Sequence, residues 1–426
     1  MKKNFIFPLI LSLIFLSQAY TQEFYPSGEI KNKTSIGLPY TDDNAGTLLE
    51  ADTTLSGNLK IFSDSASGFI DGSITFNELD SSSDTYGFST KLKEAWIDYD
   101  GEWWALRIGR QITSWGKADG LEVTDILCPK DETSLSASDY AESRLGINAA
   151  KLSFKSEKIC TDIYWIPVFT PSTLPLAENN PLKKIIVPDS IQIGEYTFPV
   201  NNVSEENLIL PDRNIFNSEA ALRISSYFSS ADISLYGFYG YDREPVLSYA
   251  VRTDENDSSK TIDITGNYKR LSMFGLDAAI PVKEIVIRLE GAFFYKRFIT
   301  DELKKNQFKA LAGFDWMPSS WTVTAQYYMD YISGTKNELN RESFIHQTSL
   351  SLSKTFFQET LELSFTGLLD LNEFSSMLSV ESAYSISDSL KLSLKGDFFI
   401  PGNTEDGLYG KYKDLSCFGI TAVYKF

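Results

Sequence analysis

The chain has 426 residues, of which 57 are acidic and 39 are basic, so its formal net charge is −18. This acidic balance, without clusters of Lys and Arg, argues against a nucleic-acid partner because phosphate contacts need such clusters. The odd number of cysteines (Cys128, Cys160 and Cys417), without metal-ligand spacing, argues against a disulfide-stapled scaffold and leaves open whether any two of them pair.

The N-terminal residues predict a secretory signal peptide over residues 1–19. Lys2 and Lys3 give a positive start, residues 5–16 are largely apolar, and the stretch ends in small residues at Ala19. The apolar run is shorter than the roughly 20 residues that a membrane-spanning helix needs. We therefore expect export, cleavage after Ala19, and one β-barrel domain over residues 20–426.

Alternation of apolar and polar residues with period two recurs along the rest of the chain, for example in residues 361–371 and 390–398. Such alternation over about 9–11 residues is typical of strands in membrane-spanning β-barrels, and the aromatic content of 14% suits their interfacial girdles. The predicted strands are 30–38, 53–63, 68–78, 87–99, 102–110, 144–155, 158–168, 217–228, 231–241, 267–281, 283–298, 306–317, 320–332, 344–356, 359–371, 375–387, 389–400 and 412–426.

Short and long connections alternate between these strands, as expected when one end of a barrel carries tight turns and the other carries free loops. The predicted fold class is therefore all-β, a transmembrane antiparallel up-and-down β-barrel of about 18 strands (16 if a weak pair fails) with long extracellular loops. A barrel of this size is too wide for side chains to fill, so it encloses an aqueous channel or a plug.

Two predicted loops are unusually long, at 111–143 and 170–215. Connections of this length without regular structure are usually functional or disordered. The loop 170–215 contains prolines together with aliphatic residues such as Ile185, Ile186 and Val187. This composition favours an ordered loop that folds into the lumen or covers its mouth; the alternative is a surface loop without a role in transport.

A recognisable motif lies at the start of the first long loop. It consists of Arg107, Gly109, Arg110, Gln111, Trp115, Gly116, Asp125, Pro129 and Asp131. The pattern Arg-x-Gly-Arg-Gln, Trp-Gly and Asp-x-x-x-Pro-x-Asp resembles a family of outer-membrane barrels akin to alginate-export and other substrate-selective porins. The resemblance covers about 30 residues. It implies a large outer-membrane barrel that acts as a channel, without identifying a substrate.

The residues of this motif also have a physical interpretation of their own. The alternation turns Arg107, Gly109 and Gln111 toward the lumen and leaves Arg110 at the end of the apolar zone. An arginine in a barrel needs carboxylate or carbonyl partners, and Glu122, Asp125 and Asp131 are candidates by their nearness in sequence. The motif would then either lock the loop against the wall or select solutes directly.

Alternation also places charged residues of both signs on the inner face of the barrel. The candidate lumen charges are Arg223, Arg288, Glu290, Asp330, Glu362, Lys391 and Lys395. They would orient polar solutes in the pore or form salt bridges that stiffen the wall.

The C-terminal segment 418–426 alternates strictly and ends on Phe426, with Tyr424 on the same face. It resembles the closing strand of bacterial outer-membrane barrels, which typically ends on such a phenylalanine. The resemblance implies that Tyr424 and Phe426 serve as an assembly signal for the barrel-assembly machinery.

The sequence offers no catalytic, cofactor or metal site. His346 is the only histidine, and there is no Gly-rich phosphate loop or Gly-x-Ser-x-Gly elbow. We therefore predict a protein that is not an enzyme and uses no cofactor: a channel in contact with lipid of the bacterial outer membrane, for passive diffusion of small polar or anionic solutes. The alternatives are a transporter of hydrophobic compounds, and a non-conducting structural or adhesin barrel whose long loops project outward.

Overall fold

A computed structural model describes residues 23–38, 44–79, 87–133, 140, 142–178, 180–253, 259–404 and 407–426. The predicted signal peptide, residues 1–19, lies outside this part of the chain. The described residues form strands β1 (Glu23–Gly37), β2 (Leu48–Ser63), β3 (Ala66–Asn77), β4 (Phe88–Asp100), β5 (Trp104–Gln111), β6 (Ile147–Lys155), β7 (Ile159–Ile166), β8 (Ser190–Ile193), β9 (Tyr196–Pro199), β10 (Leu208–Ile209), β11 (Glu219–Tyr227), β12 (Asp232–Tyr241), β13 (Val246–Thr253), β14 (Lys260–Asn267), β15 (Arg270–Val282), β16 (Ile285–Phe298), β17 (Lys304–Trp316), β18 (Trp321–Ile332), β19 (Phe344–Phe356), β20 (Leu361–Asp370), β21 (Ser376–Ser385), β22 (Leu390–Ile400) and β23 (Cys417–Lys425). Helices are short: α1 (Lys183–Ile186), α2 (Lys336–Leu339), and 3-10 turns at Glu205–Asn207, Ile215–Asn217 and Gly410–Leu415.

Eighteen of these strands, counted over the described residues, form one closed antiparallel barrel. Neighbours in sequence pair with each other, except that β7 pairs with β11 and β12 pairs with β15 across long connections. The barrel closes where β1 pairs with β23, with Ile30 opposite Tyr424. The predicted all-β up-and-down barrel and its strand number are therefore confirmed.

The outer surface of the barrel is apolar because alternate residues of each strand point outward. Leu392, Leu394 and Ile420, for example, are exposed on the outside of β22 and β23. Trp103 and Trp321 are exposed at the short-turn end, where an aromatic girdle is expected. An exposed apolar belt of this extent does not stay in water, so the barrel is of the membrane-spanning kind. Among the described residues, no helix is long and apolar enough to cross a membrane.

Several predicted boundaries are wrong. The last strand begins at Cys417 rather than at 412, because Gly410–Leu415 forms a 3-10 turn whose Tyr412 packs on Phe399, with 5.6 Å between ring centroids. β1 begins at Glu23 rather than 30, in a stretch where Pro26 and Gly28 obscure the alternation. Between the predicted strands 231–241 and 267–281 the chain forms the hairpin β13–β14, which lies outside the barrel sheet and pairs with β10.

Candidate functional site: a loop-narrowed lumen

Residues 112–133, here called the inner loop, fold into the barrel rather than away from it. Trp115, Val123, Leu127 and Cys128 are all buried in a core shared with inward-facing residues of the wall, such as Phe294. Burial raises the pKa of the Cys128 thiol to about 11. All three cysteines of the chain are free thiols. The barrel thus has an internal core, made by one loop and the wall that it covers.

Trp115 and Gly116 hold the inner loop against β12. The Trp115 ring lies on the Tyr236 ring, with 4.8 Å between centroids, and the Gly116 N–H donates to the Tyr236 hydroxyl at 3.1 Å. Gly116 has a φ of +82°, and a Cβ there would lie 2.4 Å from a Glu290 oxygen. The Trp-Gly pair of the motif therefore combines an aromatic anchor with a position where only glycine fits.

Glu290, on the inner face of β16, binds the tip of the inner loop. Its carboxylate accepts hydrogen bonds from the N–H groups of Lys117 (2.7 Å), Ala118 (2.8 Å) and Thr124 (2.7 Å), and from the Thr124 hydroxyl (2.7 Å). A carboxylate that is only 4% exposed is stable as an acceptor because several donors satisfy it. Glu290 was predicted as a lumen charge, but here it fixes a loop.

Two further wall residues complete the attachment of the tip. Arg288 donates from Nη1 to the Lys117 carbonyl at 3.0 Å and also forms a salt bridge with Asp315. The Gln326 amide on β18 pairs with both backbone groups of Asp119, at 2.9 and 2.8 Å. The tip therefore reaches from β5 across to β18.

The acidic residues of the motif bind partners other than Arg110. Asp125 accepts from the Trp115 N–H at 3.0 Å and from Arg144 Nε at 2.7 Å. Asp131 forms a salt bridge with Lys91, and the buried Pro129 accepts at its carbonyl from the Leu145 N–H at 2.7 Å. These contacts join the return arm of the inner loop to the start of β6 and to β4.

Glu122 pairs with Lys130 and lies 3.8 Å from Lys309 of the wall. Burial by itself would raise the pKa of Glu122, but the two lysines outweigh it and lower the pKa to about 2. Glu122, Asp125 and Asp131 therefore pair with Lys130, Arg144 and Lys91, and not with Arg107 or Arg110 as the sequence suggested.

The arginines of the motif have different roles. Arg107 faces inward, donates from Nε to Asp98 at 3.0 Å and stacks on Trp96, with 3.7 Å to the ring centroid. Arg110 donates from Nε to the Leu92 carbonyl at 2.7 Å. The intervening Gly109 has a φ of +134°, and a Cβ there would lie 2.2 Å from the Ala95 oxygen. Asp98 could not be predicted as the partner of Arg107, since this pairing depends on strand register.

Gln111 ends β5 as a buried residue on the inner face. Its Nε2 donates to the Ala149 carbonyl at 3.0 Å. This bond joins β5 to β6 at the point where the inner loop leaves the wall.

The other predicted lumen charges face inward but are not gathered at one point. Asp330 pairs with Arg341 at 3.2 Å, Glu362 with Lys391 at 3.9 Å and Lys395 with Asp397 at 3.2 Å. Arg223 lies 5.8 Å from the Tyr236 ring centroid, and its buried Nε has no hydrogen-bond partner among the described residues. Most of these charges are therefore paired with a residue of opposite sign.

Residues 167–178 and 180–218, here called the mouth loop, extend over the long-loop end of the barrel. Leu182 packs with Met377, Phe399 and Leu415 on the opposite wall. A cavity of about 1050 Å³ lies beside it and is lined by Lys183 and other residues of the mouth loop, together with residues 44–49 and 410–415. The mouth loop thus contacts inward-facing residues at this end of the barrel, and its role in transport stays a prediction.

Glu219 and Arg243, which were not among the predicted site residues, join both loops to the wall. Arg243 donates to Glu219 Oε2 at 3.0 Å, to the Leu127 carbonyl at 2.9 Å and to the Thr170 carbonyl at 3.3 Å. Both residues are buried: Arg243 is 7% exposed and Glu219 is 1% exposed. The signal in the sequence was an acidic residue, Glu219, at the start of β11 and a basic residue, Arg243, just after β12. The antiparallel β11–β12 hairpin brings the two together.

The C-terminal aromatic residues lie on the outer face of the closing strand. Tyr424 and Phe426 are exposed there, with 6.3 Å between their ring centroids. Phe426 exchanges two backbone hydrogen bonds of 2.9 Å with Gly28 of β1. Its ring lies over Gly28, since a Cβ on that glycine would be 2.7 Å from Phe426 Cζ.

The sequence matches no family model and no curated protein. Solved structures with a similar fold include several from Pseudomonas aeruginosa. OccK5 (OpdH) aligns with a TM-score of 0.54 at 9% identity, over 95% of this chain and 98% of that one. OpdK with vanillate aligns with a TM-score of 0.53 at 7% identity, over 95% of this chain and 98% of that one. OccK2 (OpdF) in complex with glucuronate aligns with a TM-score of 0.51 at 10% identity, over 96% of this chain and 99% of that one. At this identity the likeness concerns the fold.

Proposed function

We propose that this protein is a porin-like channel of the bacterial outer membrane through which small polar or anionic solutes diffuse passively. The observation that carries the proposal is the inner loop, which is folded inside a closed membrane-spanning barrel and bonded at its tip to β12, β16 and β18. A loop in this position narrows the lumen, and the partly exposed Ser351, Ser353 and Ser364 on the wall beyond it leave a polar path.

Structural likeness supports the same proposal. The similar barrels include one solved with vanillate and one solved with glucuronate, both of which are small organic acids. The short turns would face the periplasm and the mouth loop the exterior, as in other barrels with both termini at the short-turn end. The motif around Trp115 would act by positioning the inner loop rather than by touching the solute.

The alternatives are less well supported. A non-conducting adhesin barrel was expected to carry residues 111–143 on its outside, whereas residues 112–133 lie inside and bind the wall. A transporter of hydrophobic compounds needs an apolar pocket in the lumen, whereas the apolar lumen core is filled by Trp115, Leu127 and their neighbours. The proposed role is transport without chemistry.

Export and assembly are part of the proposal. Residues 1–19 would direct the chain across the inner membrane, and Tyr424 with Phe426 would be read by the barrel-assembly machinery. N-terminal sequencing of protein purified from outer membranes tests the first step, and we expect residue 20 as the new N-terminus. A start at Met1 would contradict it.

Single-channel recording of the refolded mature protein in a planar bilayer tests the channel itself. We expect stable conductance steps, with a reversal potential that shows which ion passes preferentially. Folding is checked independently by heat-modifiable migration on a gel. Silence from protein shown to be folded would contradict the proposal and favour the non-conducting barrel.

A further inference from the structure

A panel of hydroxyl groups covers the inner wall directly below the attachment of the inner loop. It occupies two neighbouring rows across four adjacent strands, β18 to β21. The upper row is Thr324, Ser351, Thr366 and Ser379, and the lower row is Thr322, Ser353 and Ser364, followed by Glu381. We call the seven Ser and Thr residues the hydroxyl panel.

The strand register places the panel in the lumen. Gln326, which holds Asp119 of the inner loop, also donates to the Ser349 hydroxyl at 2.9 Å, so Ser349 faces inward. Ser351 and Ser353 follow at intervals of two and share that face, whereas Leu350 is exposed on the outside. The panel therefore lies between the loop attachment and the short-turn end, where a solute leaves the narrowed region.

The panel is accessible and only partly satisfied. Thr322 is exposed, and Ser351, Ser353, Ser364 and Thr366 are partly exposed. The Ser351 and Thr366 hydroxyls lie 3.4 Å apart, a weak mutual hydrogen bond that leaves their other donor and acceptor positions for a solute or water.

A second observation comes from the end of the upper row, where Asp397 lies opposite Ser379 on the inner face. Asp397 is 7% exposed, and one of its oxygens, Oδ1, has no hydrogen-bond partner among the described residues. Its other oxygen binds Lys395. At the other end, the Thr324 hydroxyl donates to Asp315, the partner of Arg288. Charged groups of both signs thus border a neutral panel.

From this arrangement we infer that the hydroxyl panel selects polyhydroxylated solutes among those that pass the inner loop. The inference rests on the proposed channel function and names its substrate class. Hydroxyl groups donate and accept, so they can exchange hydrogen bonds with successive hydroxyls of a moving solute. Several weak neutral contacts allow a solute to enter and to leave, which conduction requires. Arg288 and Lys395 lie at the borders, but each is already paired with an aspartate, so the hydroxyl groups carry the selection.

The test compares gluconate with hexanoate, two acids of equal carbon number that differ in their hydroxyl groups. Their permeability ratio is taken from reversal potentials in planar bilayers, for wild type and for the variant S351A/S353A/S364A/T366V. We expect the gluconate preference to fall roughly fivefold in the variant, which corresponds to about 1 kcal/mol. A smaller variant, S353A/T366V, is measured in parallel in case the first does not refold.

A matched control removes equivalent hydroxyls elsewhere in the lumen. T54V/S56A/S73A/T75V alters two cross-strand pairs of β2 and β3, of which Thr54 and Thr75 are 2.9 Å apart. The ratio should stay as in wild type in this control. An unchanged permeability ratio in both panel variants would overturn the inference, and so would an equal fall of the ratio in the control. In either case, KCl conductance would still support a pore. Absence of KCl conductance in folded wild type would overturn the channel function and this inference with it.

Discussion

Glu290 and Thr124 are 166 positions apart in the sequence, yet the Glu290 carboxylate accepts two hydrogen bonds of 2.7 Å from Thr124, one from its N–H and one from its hydroxyl. The same carboxylate also accepts hydrogen bonds from Lys117 and Ala118, so it binds both ends of the loop tip. Glu290 therefore affects the width of the lumen through the inner loop that it holds, without contacting a solute.

Glu290→Gln should release the inner loop. The amide keeps one acceptor oxygen and turns an NH₂ group toward N–H donors, so about two bonds are lost, at ~1.5–3 kcal/mol each for bonds to a charged group. We expect larger and noisier single-channel currents. Glu362→Gln is the control, because Glu362 is only weakly paired with Lys391. Identical currents in the two variants would show that Glu290 does not hold the loop.

Arg243→Met should loosen the inner and mouth loops together. The change leaves Glu219 buried without its cation, which typically costs ~3–5 kcal/mol. Limited proteolysis should cut both loops faster, and Glu219→Gln/Arg243→Met should recover part of the resistance. Arg252→Met serves as control, since its pair with Asp263 is exposed. Faster cutting of one loop alone would contradict the shared attachment.

The ion pairs of Glu122 should respond to acid only at low pH. The pKa of Glu122 is about 2, below its ordinary value of 4.5, so its ion pairs stabilise docking fully above pH 4.5 and lose their effect as pH falls toward 2. Conductance noise should therefore rise between these limits. Glu122→Gln should be noisy already at pH 7. A wild-type transition near pH 6 would assign the effect to another group.

Gly28→Val should impair closure of the barrel. A Cβ at Gly28 would overlap the Phe426 ring, whereas a Cβ at Gly57, the residue paired with Gly28 on β2, would meet nothing within 4 Å. Gly57→Val is therefore a control on the same outer face. We expect a lower yield of heat-modifiable barrel for Gly28→Val alone. Equal yields would mean that the ring moves aside without cost.

Charge on the outer face should oppose membrane insertion. Phe365→Arg and Leu392→Arg place a cation on lipid-facing positions, at ~2–4 kcal/mol near the midplane. Thr366→Arg, on the neighbouring inward position, is the control. Outer-membrane levels measured by immunoblot should fall for the first two variants and not for the third. Normal levels of all three would reverse the assignment of faces.

Much of the fold was predictable because alternation is a local property. Leu390 to Phe398 shows its two faces in the printed sequence, and the lengths of successive connections show which end of the barrel each occupies. Errors arose where local rules compete. Pro26 and Gly28 hide the start of β1, and Tyr412 belongs to a turn that packs on Phe399 rather than to a strand.

The sequence by itself determined the barrel, its strand number and the side of the wall on which residues such as Arg107 and Glu290 lie, since period two is encoded between neighbouring residues. Only the tertiary structure decided that the inner loop turns inward, that Arg107 pairs with Asp98, and that Glu290 binds Thr124. These contacts join residues on different strands or at distant positions. They depend on register and closure, which no single segment of the chain contains.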